Sequence, residues 1–343
     1  MRTVFTNDSD VEVNVIDHRF SETFSQRDNH EVMFRRINTF LLEQRVIDGN
    51  IIDLGSWIGD NSIPWALNSE HTIYAIDPSP ENIEYIEKMQ LANGIANIRT
   101  IQTAVGDKNE IICTDNDLDH CQFNKTSGKN RVQCLTLDHL YEQKQIADIS
   151  YIHLDVEGFE FNVVRGADSV INTFRPIISY EQHLDREDYK ELSAHLFNRG
   201  YNIYLVNEIL PGCYYDCRNL FAVPAGIEFD VDELHESIGS PVLLSVFNHA
   251  TSPRSSICVG RLFGTYFDNM EFHVKAVLYQ GLYIFCVNQN NYAKLVATDT
   301  NGDWICSKNL LGHVDTNCEK TIINAYLSAQ NEVEQSQYNV EIL

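Results

Sequence analysis

Two groups of residues have the types and spacing that ligand binding or catalysis requires. The first group surrounds a pair of glycines. The segment IIDLGSWIGDNS at residues 51–62 joins a short apolar strand, a loop and the start of a helix. Gly55 and Gly59 can adopt backbone conformations that other residues avoid, and they let a ligand approach the main chain. The free N–H groups of the helix start would face that ligand. This order of features is typical of a cofactor pocket.

The spacing around this loop narrows the choice of cofactor. A dinucleotide fingerprint is G-x-G-x-x-G, whereas this loop is G-x-x-x-G with Trp57 between the glycines. The next apolar run, HTIYAID, ends in Asp77, which stands 22 positions after Gly55. A carboxylate at that point can accept hydrogen bonds from both hydroxyls of a ribose. The glycine spacing and Asp77 together predict a cofactor with an adenosyl ribose and no second nucleotide.

The second group is a set of acids that follows another apolar run. The sequence ISYIHLDVEGFE puts Asp155, Glu157 and Glu160 just after a predicted strand, and ISYEQH ends the next strand with Glu181 and His183. Ligands of parallel α/β sheets lie outside the carboxyl ends of the strands. We therefore expect these residues to face the same crevice as the glycine loop. Glu160 is best interpreted as a helix-start acid.

Alternating helices and strands must position both groups. The apolar spacing predicts helices over residues 26–47, 80–93, 160–171 and 185–198, and strands over 51–53, 71–77, 97–105, 149–155 and 175–181, then YNIYLV and NLFAVPA. Alternation at this length predicts an α/β fold with a doubly wound, largely parallel sheet in residues 1–229. The polar residues 108–130 are expected to form a loop.

The pattern changes at about Asp230. Short apolar runs such as VLLSVF, SICVGRLF, GLYIFCV and AKLVATD replace the alternation, and Asn301-Gly302 is a hairpin signal. DELHESIG and the last twenty or so residues are the exceptions, with helical patterns. We therefore predict a second, smaller, β-rich C-terminal domain over residues 230–343.

Composition excludes several classes of protein. The chain has 343 residues and a formal net charge of −24, from 49 acids and 25 bases, so phosphate backbones and anionic membranes would repel it. No nucleic-acid or membrane partner is expected. No stretch resembles a signal peptide or a membrane span, which favours a cytoplasmic location. Nine cysteines without a C-x-x-C pair are expected to be reduced core residues.

Residues 50–183 resemble the FkbM family of S-adenosylmethionine-dependent O-methyltransferases. The segments that carry the resemblance are DLGSWIGDNS, IYAIDPSPENIEYI, TAVGD, LTLDHL and DISYIHLDVEGFEFNVVRGA, in that order. Asp77 stands where the family commonly has glutamate, and His153 where it commonly has lysine. The resemblance implies a Rossmann-like class I methyltransferase sheet with S-adenosyl-L-methionine as cofactor.

The resemblance also implies cofactor contacts, position by position. The methionine end of the cofactor would be lined by Asp53, Gly55, Ser56, Trp57, Gly59 and Asn61. Asp77 would hold the ribose with Pro78 and Ser79 nearby, and Ala104 and Val105 would pack near the adenine. Structural roles compete at three positions, because Asp53 can cap the turn, Trp57 can be core and Asn61 can be a helix N-cap.

Methyl transfer to an alcohol requires alignment of the nucleophile and help with its proton. Asp155 is the best candidate for the base, and Glu157 is a candidate to share that task. Alternatively, Asp155 and Glu181 together hold Mg²⁺ or Mn²⁺, which would acidify a bound hydroxyl. His153 and His183 are candidates for substrate contacts.

The sequence thus predicts an O-methyltransferase that acts on a hydroxyl of a sugar, glycan or natural product. The partner would be a small-molecule alcohol, and the C-terminal domain is a candidate for substrate binding or for contacts in a homo-oligomer. Two alternatives remain open: a nicotinamide-dependent oxidoreductase, and a non-catalytic cofactor- or glycan-binding protein of the same fold.

Overall fold

The computed structural model describes most of the chain. The described residues are 2–6, 9–26, 31–114, 130–183, 188–206, 208, 217–227, 229–238, 243–247, 274–280, 282–289, 292–299, 304–312, 314–315 and 319–338. The predicted strand SICVGRLF and the Asn301-Gly302 turn lie outside these residues.

The helices and strands follow one another in the order β1 (Arg2–Thr6), β2 (Val11–Val15), α1 (Ser21–Ser25), α2 (Val32–Glu43), β3 (Asn50–Leu54), α3 (Ser62–Asn68), β4 (Ile73–Asp77), α4 (Pro80–Asn93), β5 (Ile98–Gln102), β6 (Ala104–Val105), β7 (Glu110–Thr114), β8 (Asn130–Leu135), α5 (Leu137–Glu142), β9 (Ile149–Leu154), α6 (Glu160–Arg165), α7 (Asp168–Phe174), β10 (Ile177–His183), α8 (Asp188–Asn198), β11 (Tyr201–Val206), β12 (Cys217–Pro224), α9 (Val231–Ile238), β13 (Leu243–Phe247), β14 (Val274–Tyr279), β15 (Leu282–Gln289), β16 (Tyr292–Asp299), β17 (Trp304–Leu311) and α10 (Glu319–Tyr338).

The main sheet has eight described strands in the order β13-β11-β12-β10-β9-β3-β4-β5. The five strands from β10 to β5 run parallel, whereas β12 is antiparallel to both β10 and β11. This arrangement confirms the predicted α/β fold with a largely parallel sheet. The carboxyl ends of β3, β4, β9 and β10 consequently meet at one edge.

Both faces of the main sheet are covered, which explains why its strands are apolar on both sides. Ile51 and Ile52 are both fully buried but join different core clusters, because neighbouring side chains in a strand point to opposite faces. The Ile51 face packs against α2, α3 and α4, and the Ile52 face packs against α5, α6, α7 and α8.

Local signals fix the bounds of α4, which follows the Asp77 strand. Ser79 is the N-cap and accepts a hydrogen bond from Asn82 N–H at 3.3 Å, and Pro80 occupies the first helical turn. Gly94 ends the helix in the left-handed conformation with φ of 65°. The predicted helix over residues 80–93 is confirmed.

The predicted loop at residues 108–130 is wrong at both ends. Glu110–Thr114 and Asn130–Leu135 form an antiparallel pair, and β6 runs parallel to β8 at its side. Ile112 of β7 and Val132 and Cys134 of β8 form a small buried apolar cluster with Ala104 of β6. A search for loop-forming polar residues overlooks such short strands. Residues 115–129 are outside the described part.

The C-terminal region contains a four-stranded antiparallel meander, β14 to β17, whose apolar face packs with α10. However, Leu243–Phe247, which the sequence assigned to the second domain, pairs with β11 at the edge of the main sheet. Leu234 of α9 also belongs to the core next to α2. The pairing therefore favours a boundary after Phe247 rather than after residue 229, and the two-domain division stays a proposal.

No helix in the described part of the chain is long and apolar enough to cross a membrane.

Candidate active site

The glycine loop between β3 and α3 lies directly against the turn that follows β9. Gly55 has φ of +74°, and a Cβ on it would come within 1.7 Å of the Asp155 carbonyl oxygen. Asp155 N–H also donates to the carbonyl of Leu54 at 3.0 Å. The two groups of residues found in the sequence are thus joined by main-chain contact, and only glycine fits at residue 55.

Gly59 has a packing role in the same loop. Its φ is +72°, and a Cβ would lie 3.0 Å from Ile86 Cγ1 of α4 and 3.3 Å from Ile63 Cγ1 of α3. The approach of a ligand to both glycines stays a prediction, and the structure adds a contact within the protein at each of them.

Asp77 binds the loop to the start of α4. Its Oδ2 accepts from Trp57 N–H at 3.0 Å, and its Oδ1 accepts from Ser79 N–H at 2.8 Å and from Asn82 Nδ2 at 3.1 Å. Trp57 has a positive φ of 43°, which this hydrogen bond helps to maintain. The carboxylate therefore orders the two segments between which the ribose was predicted to bind.

Asp53 belongs to a buried polar network beneath the loop. Its side chain is 1% exposed, its Oδ1 lies 2.8 Å from His153 Nδ1, and its Oδ2 accepts from the Ser62 hydroxyl. Burial acts to lower the pKa of His153, but the hydrogen bond and charge of Asp53 outweigh it and the pKa is raised. Asp53 therefore connects β9, through His153, to the start of α3, through Ser62. These contacts favour the interpretation that Asp53 caps the turn.

His153 is enclosed rather than open to a substrate. Its side chain is 2% exposed, and its ring lies 5.1 Å from that of Phe34 and 5.6 Å from that of Trp65 between centroids. The predicted substrate contact at His153 is therefore not favoured. His183 lies in register with Cys217 at the end of β10, and the predicted role of its side chain falls outside the described part of the structure.

The other predicted cofactor residues divide into loop and core positions. Ser56 is buried, and its Oγ has no hydrogen-bond partner among the described residues. Asn61 is the N-cap residue of α3 but makes no side-chain capping bond, and its Oδ1 accepts from Arg35. Ala104 and Val105 are buried in β6. Pro78 precedes Ser79 in the turn before α4.

Acids surround Asp155 at the carboxyl ends of β9 and β10. Burial is the largest cause that raises the pKa of Asp155 well above its ordinary value, followed by the charges of Glu181, Glu31, Glu157 and Glu160. Like charges disfavour a further carboxylate, so this side chain holds its proton more tightly than an ordinary aspartate does.

The acids around Asp155 have different environments. Glu157 is exposed with φ of +56°. Glu160 Oε1 accepts from the N–H groups of Val156 at 3.2 Å and Gly158 at 3.1 Å, which confirms that it organises the turn before α6. Glu181 Oε1 accepts a hydrogen bond from the Cys217 thiol.

The metal alternative assigned Asp155 and Glu181 as ligands. Within the described ranges, no group of three or more histidine, cysteine or acidic side chains has an arrangement that could hold a metal ion.

Sequence reasoning missed three functional candidates in α2 or in contact with its first turn, namely Arg35, Glu31 and Glu208. Arg35 is 2% exposed and contacts the end of the glycine loop. Glu31 accepts from Asn219 Nδ2 at 2.7 Å, and Glu208 accepts from the N–H groups at the start of α2. The available signal was an arginine on the apolar face of a helix, between Phe34 and Ile37, where a charged residue is unusual.

The geometry and the comparisons agree on the class of protein. The chain is an α/β protein whose parallel sheet carries a glycine loop and a cluster of acids at one edge. Residues 53–203 match the model of the methyltransferase FkbM domain. This match identifies residues 53–203 as a region of FkbM methyltransferase type. No curated protein matches the chain.

Several solved structures are similar to the chain. Methyltransferase FkbM from Methylobacillus flagellatus is 15% identical with a TM-score of 0.39, covering 61% of this chain and 56% of that one. Precorrin-6y C5,15-methyltransferase from Geobacter metallireducens is 11% identical with a TM-score of 0.33, covering 51% and 80%. Aeropyrum pernix fibrillarin, solved with bound S-adenosyl-L-methionine, is 15% identical with a TM-score of 0.33, covering 51% and 66%. The chain thus spans little more than half the length of the Methylobacillus protein.

Proposed function

We propose that the chain is an S-adenosylmethionine-dependent O-methyltransferase that acts on a hydroxyl of a sugar, glycan or natural product. The observation that carries this proposal is the contact between Gly55 and the carbonyl of Asp155. It brings the loop that resembles a donor site against the strand end that bears the candidate base. Methyl transfer requires a donor and an acceptor to be held side by side in this way.

The donor half of the site, formed by the glycine loop and Asp77, fits an adenosyl cofactor. Ser56 Oγ is a buried hydroxyl without a described partner, and such a group is suited to a polar ligand. Asp77 stands at the end of β4, where it could accept from ribose hydroxyls while it keeps its bonds to Trp57 and Ser79. When bound, S-adenosylmethionine supplies an electrophilic methyl group on a sulfonium.

The acceptor half of the site, formed by Asp155 and the acids around it, supplies the base that takes up the hydroxyl proton. As the new carbon–oxygen bond forms and the carbon–sulfur bond breaks, the hydroxyl proton passes to the Asp155 carboxylate. Because burial and, after it, the neighbouring acids raise the pKa of Asp155, the side chain is a stronger base than an ordinary aspartate once it is deprotonated. The same shift means that the active form gains population as the pH rises.

Asp155 as a base is preferred over a metal at Asp155 and Glu181. Glu181 is engaged by the Cys217 thiol, and its charge contributes to the raised pKa of Asp155. Both observations give Glu181 a role without an ion. Turnover that is lost on addition of EDTA and recovered with Mg²⁺ or Mn²⁺ would favour the metal.

Ligand binding to the intact chain tests the donor half first. We expect S-adenosylhomocysteine to bind in isothermal titration calorimetry and to raise the melting temperature, with no effect from NADH. Binding of NADH but not of S-adenosylhomocysteine would instead favour the nicotinamide-dependent oxidoreductase. Tight binding of S-adenosylhomocysteine without turnover on a broad panel of alcohols would favour the non-catalytic alternative.

A further inference from the structure

Arg35 lies in the first turns of α2 and contacts the end of the glycine loop. Its Nε donates to Asn61 Oδ1 at 2.9 Å, and its Nη2 donates to Asp60 Oδ2 at 2.5 Å. Asp60 and Asn61 are the last two residues of the loop before α3 begins at Ser62. One side chain thus holds two consecutive loop residues.

The same guanidinium also faces the acceptor half. Arg35 Nη2 lies 3.5 Å from Glu31 Oε2, and Glu31 Oε1 accepts from Asn219 Nδ2 at 2.7 Å. Asn219 belongs to β12 and stands opposite Glu181 in the register with β10. A chain of polar contacts therefore runs from the loop through α2 to the strand beside the acid cluster.

Arg35 requires polar partners because its charged side chain is buried. The side chain is 2% exposed, so its charge has little water to stabilise it and depends on Asp60, Glu31 and Asn61. The planar guanidinium can reach several acceptors at fixed angles, whereas a lysine ammonium has no such fork. Asn61 makes no side-chain capping bond to α3, so its amide oxygen is committed to Arg35.

We infer that Arg35 is a positioning residue that fixes the end of the glycine loop and thereby sets the affinity for the cofactor. This inference rests on the proposed function, because it takes the loop to be the donor site. Arg35 acts through Asp60 and Asn61, and a lysine at this position keeps the positive charge beside Glu31. Arg35→Lys therefore raises KM for S-adenosylmethionine and leaves kcat at saturating cofactor nearly unchanged.

The test compares Arg35→Lys with Arg175→Lys in the full chain. Arg175 also braces main chain, since it donates to the carbonyls of Arg199 at 2.7 Å and Gly200 at 2.9 Å, but it precedes β10 at the opposite edge of the sheet. We expect the Kd of S-adenosylhomocysteine, measured by calorimetry, to rise about tenfold in Arg35→Lys and to stay within twofold in Arg175→Lys. Equal affinity of Arg35→Lys and wild type overturns the inference, as does an equal loss in both variants.

Asp60→Asn provides a milder variant of the same contact and covers the case in which Arg35→Lys does not fold. It removes the charge that Arg35 faces while the loop retains its length, so a several-fold rise in Kd is expected. In Arg35→Lys/Asp60→Asn the rise should not exceed that of Arg35→Lys alone, because the two residues act as a unit. Independent effects that multiply in the double variant contradict the inference.

The outcome for wild type separates the two proposals. If wild type fails to bind S-adenosylhomocysteine, the proposed function is wrong and the inference fails with it. If wild type binds and the Arg35 and Asp60 variants bind equally well, only the inference fails.

Discussion

The donor half and the acceptor half of the site treat their carboxylates in opposite ways. In the donor half, Asp53 is paired with His153 and Ser62, and Asp77 accepts from two N–H groups and an amide. In the acceptor half, burial and the charges of Glu181, Glu31 and Glu157 raise the pKa of Asp155. The first arrangement stabilises charge and the second opposes it.

The donor half is therefore arranged for stability, and the acceptor half for chemistry. Paired, hydrogen-bonded carboxylates hold a loop in one conformation, and that suits the binding of a cofactor. A carboxylate with a raised pKa lowers the stability of the folded state at neutral pH but gains strength as a base. Substitutions in the two halves should therefore change different measured quantities.

Asp155→Asn should have the largest effect on activity. We expect kcat to fall by about 10²- to 10⁴-fold because the variant has no base for the hydroxyl proton. Its melting temperature at neutral pH should equal or exceed that of wild type, because a partly buried carboxylate among like charges is removed. Initial rates and differential scanning calorimetry give both values.

Glu157→Gln is the control for Asp155→Asn, since Glu157 is exposed in the same turn. It should retain most of the activity. Wild-type turnover in Asp155→Asn would show that Asp155 is not the base. It would also contradict the proposed difference between the two halves.

His153→Leu should have the largest effect on stability. It leaves Asp53 buried without its partner, which costs roughly 3–5 kcal/mol when a buried ion pair is broken. The folded-state pKa of His153 is raised, so its stabilisation is complete below the ordinary histidine pKa and is lost as the pH rises through the raised value. Urea unfolding of wild type and variant at several pH values should show a difference that shrinks as the pH rises.

His195→Leu is the matched control for this experiment. Burial is the main cause that lowers the pKa of His195, which lies in α8 away from the loop. Its replacement should cost less, and a histidine with a lowered pKa does not stabilise the fold through its protonated form. Equal losses in both variants, independent of pH, would contradict the role of the pair formed by Asp53 and His153.

Glu181→Gln should have the smallest effect, a shift of the pH profile. After burial, the charge of Glu181 is the largest cause of the raised pKa of Asp155, so its removal lowers that pKa. The rise of kcat with pH should then occur at a lower pH than in wild type. Glu157→Gln should shift the profile in the same direction and by less, as measured in buffers that contain EDTA. An unchanged profile would mean that Glu181 has no influence on the base.

Local signals account for the parts of the structure that the sequence predicted. The bounds of α4 follow from Ser79, Pro80 and Gly94, each of which acts within one helical turn. The ends of the strands next to Asp77 and Asp155 could be predicted because each short apolar run stops at an acidic residue. Such signals depend on neighbouring residues, and they are present in the sequence itself.

Long-range pairing accounts for the parts that the sequence missed. Leu243–Phe247 joins the main sheet because β11 offers an open edge, which its own residues do not indicate. Arg35 is buried because Asp60 and Asn61, more than twenty positions away, receive its hydrogen bonds. The reason for Gly55 is the carbonyl of Asp155, a hundred positions further along the chain. No local pattern contains these partners.

Transfer of an isotope-labelled methyl group to an alcohol is the most direct test of O-methylation with Asp155 as the base. Wild type and Asp155→Asn would be incubated with methyl-labelled S-adenosylmethionine and a panel of sugars and natural-product alcohols, and the products analysed by mass spectrometry and NMR. We expect a labelled methyl ether from wild type and almost none from Asp155→Asn, although both should bind S-adenosylhomocysteine equally well. Labelled methyl groups on nitrogen or carbon instead of oxygen, or equal transfer by the two proteins, would contradict it.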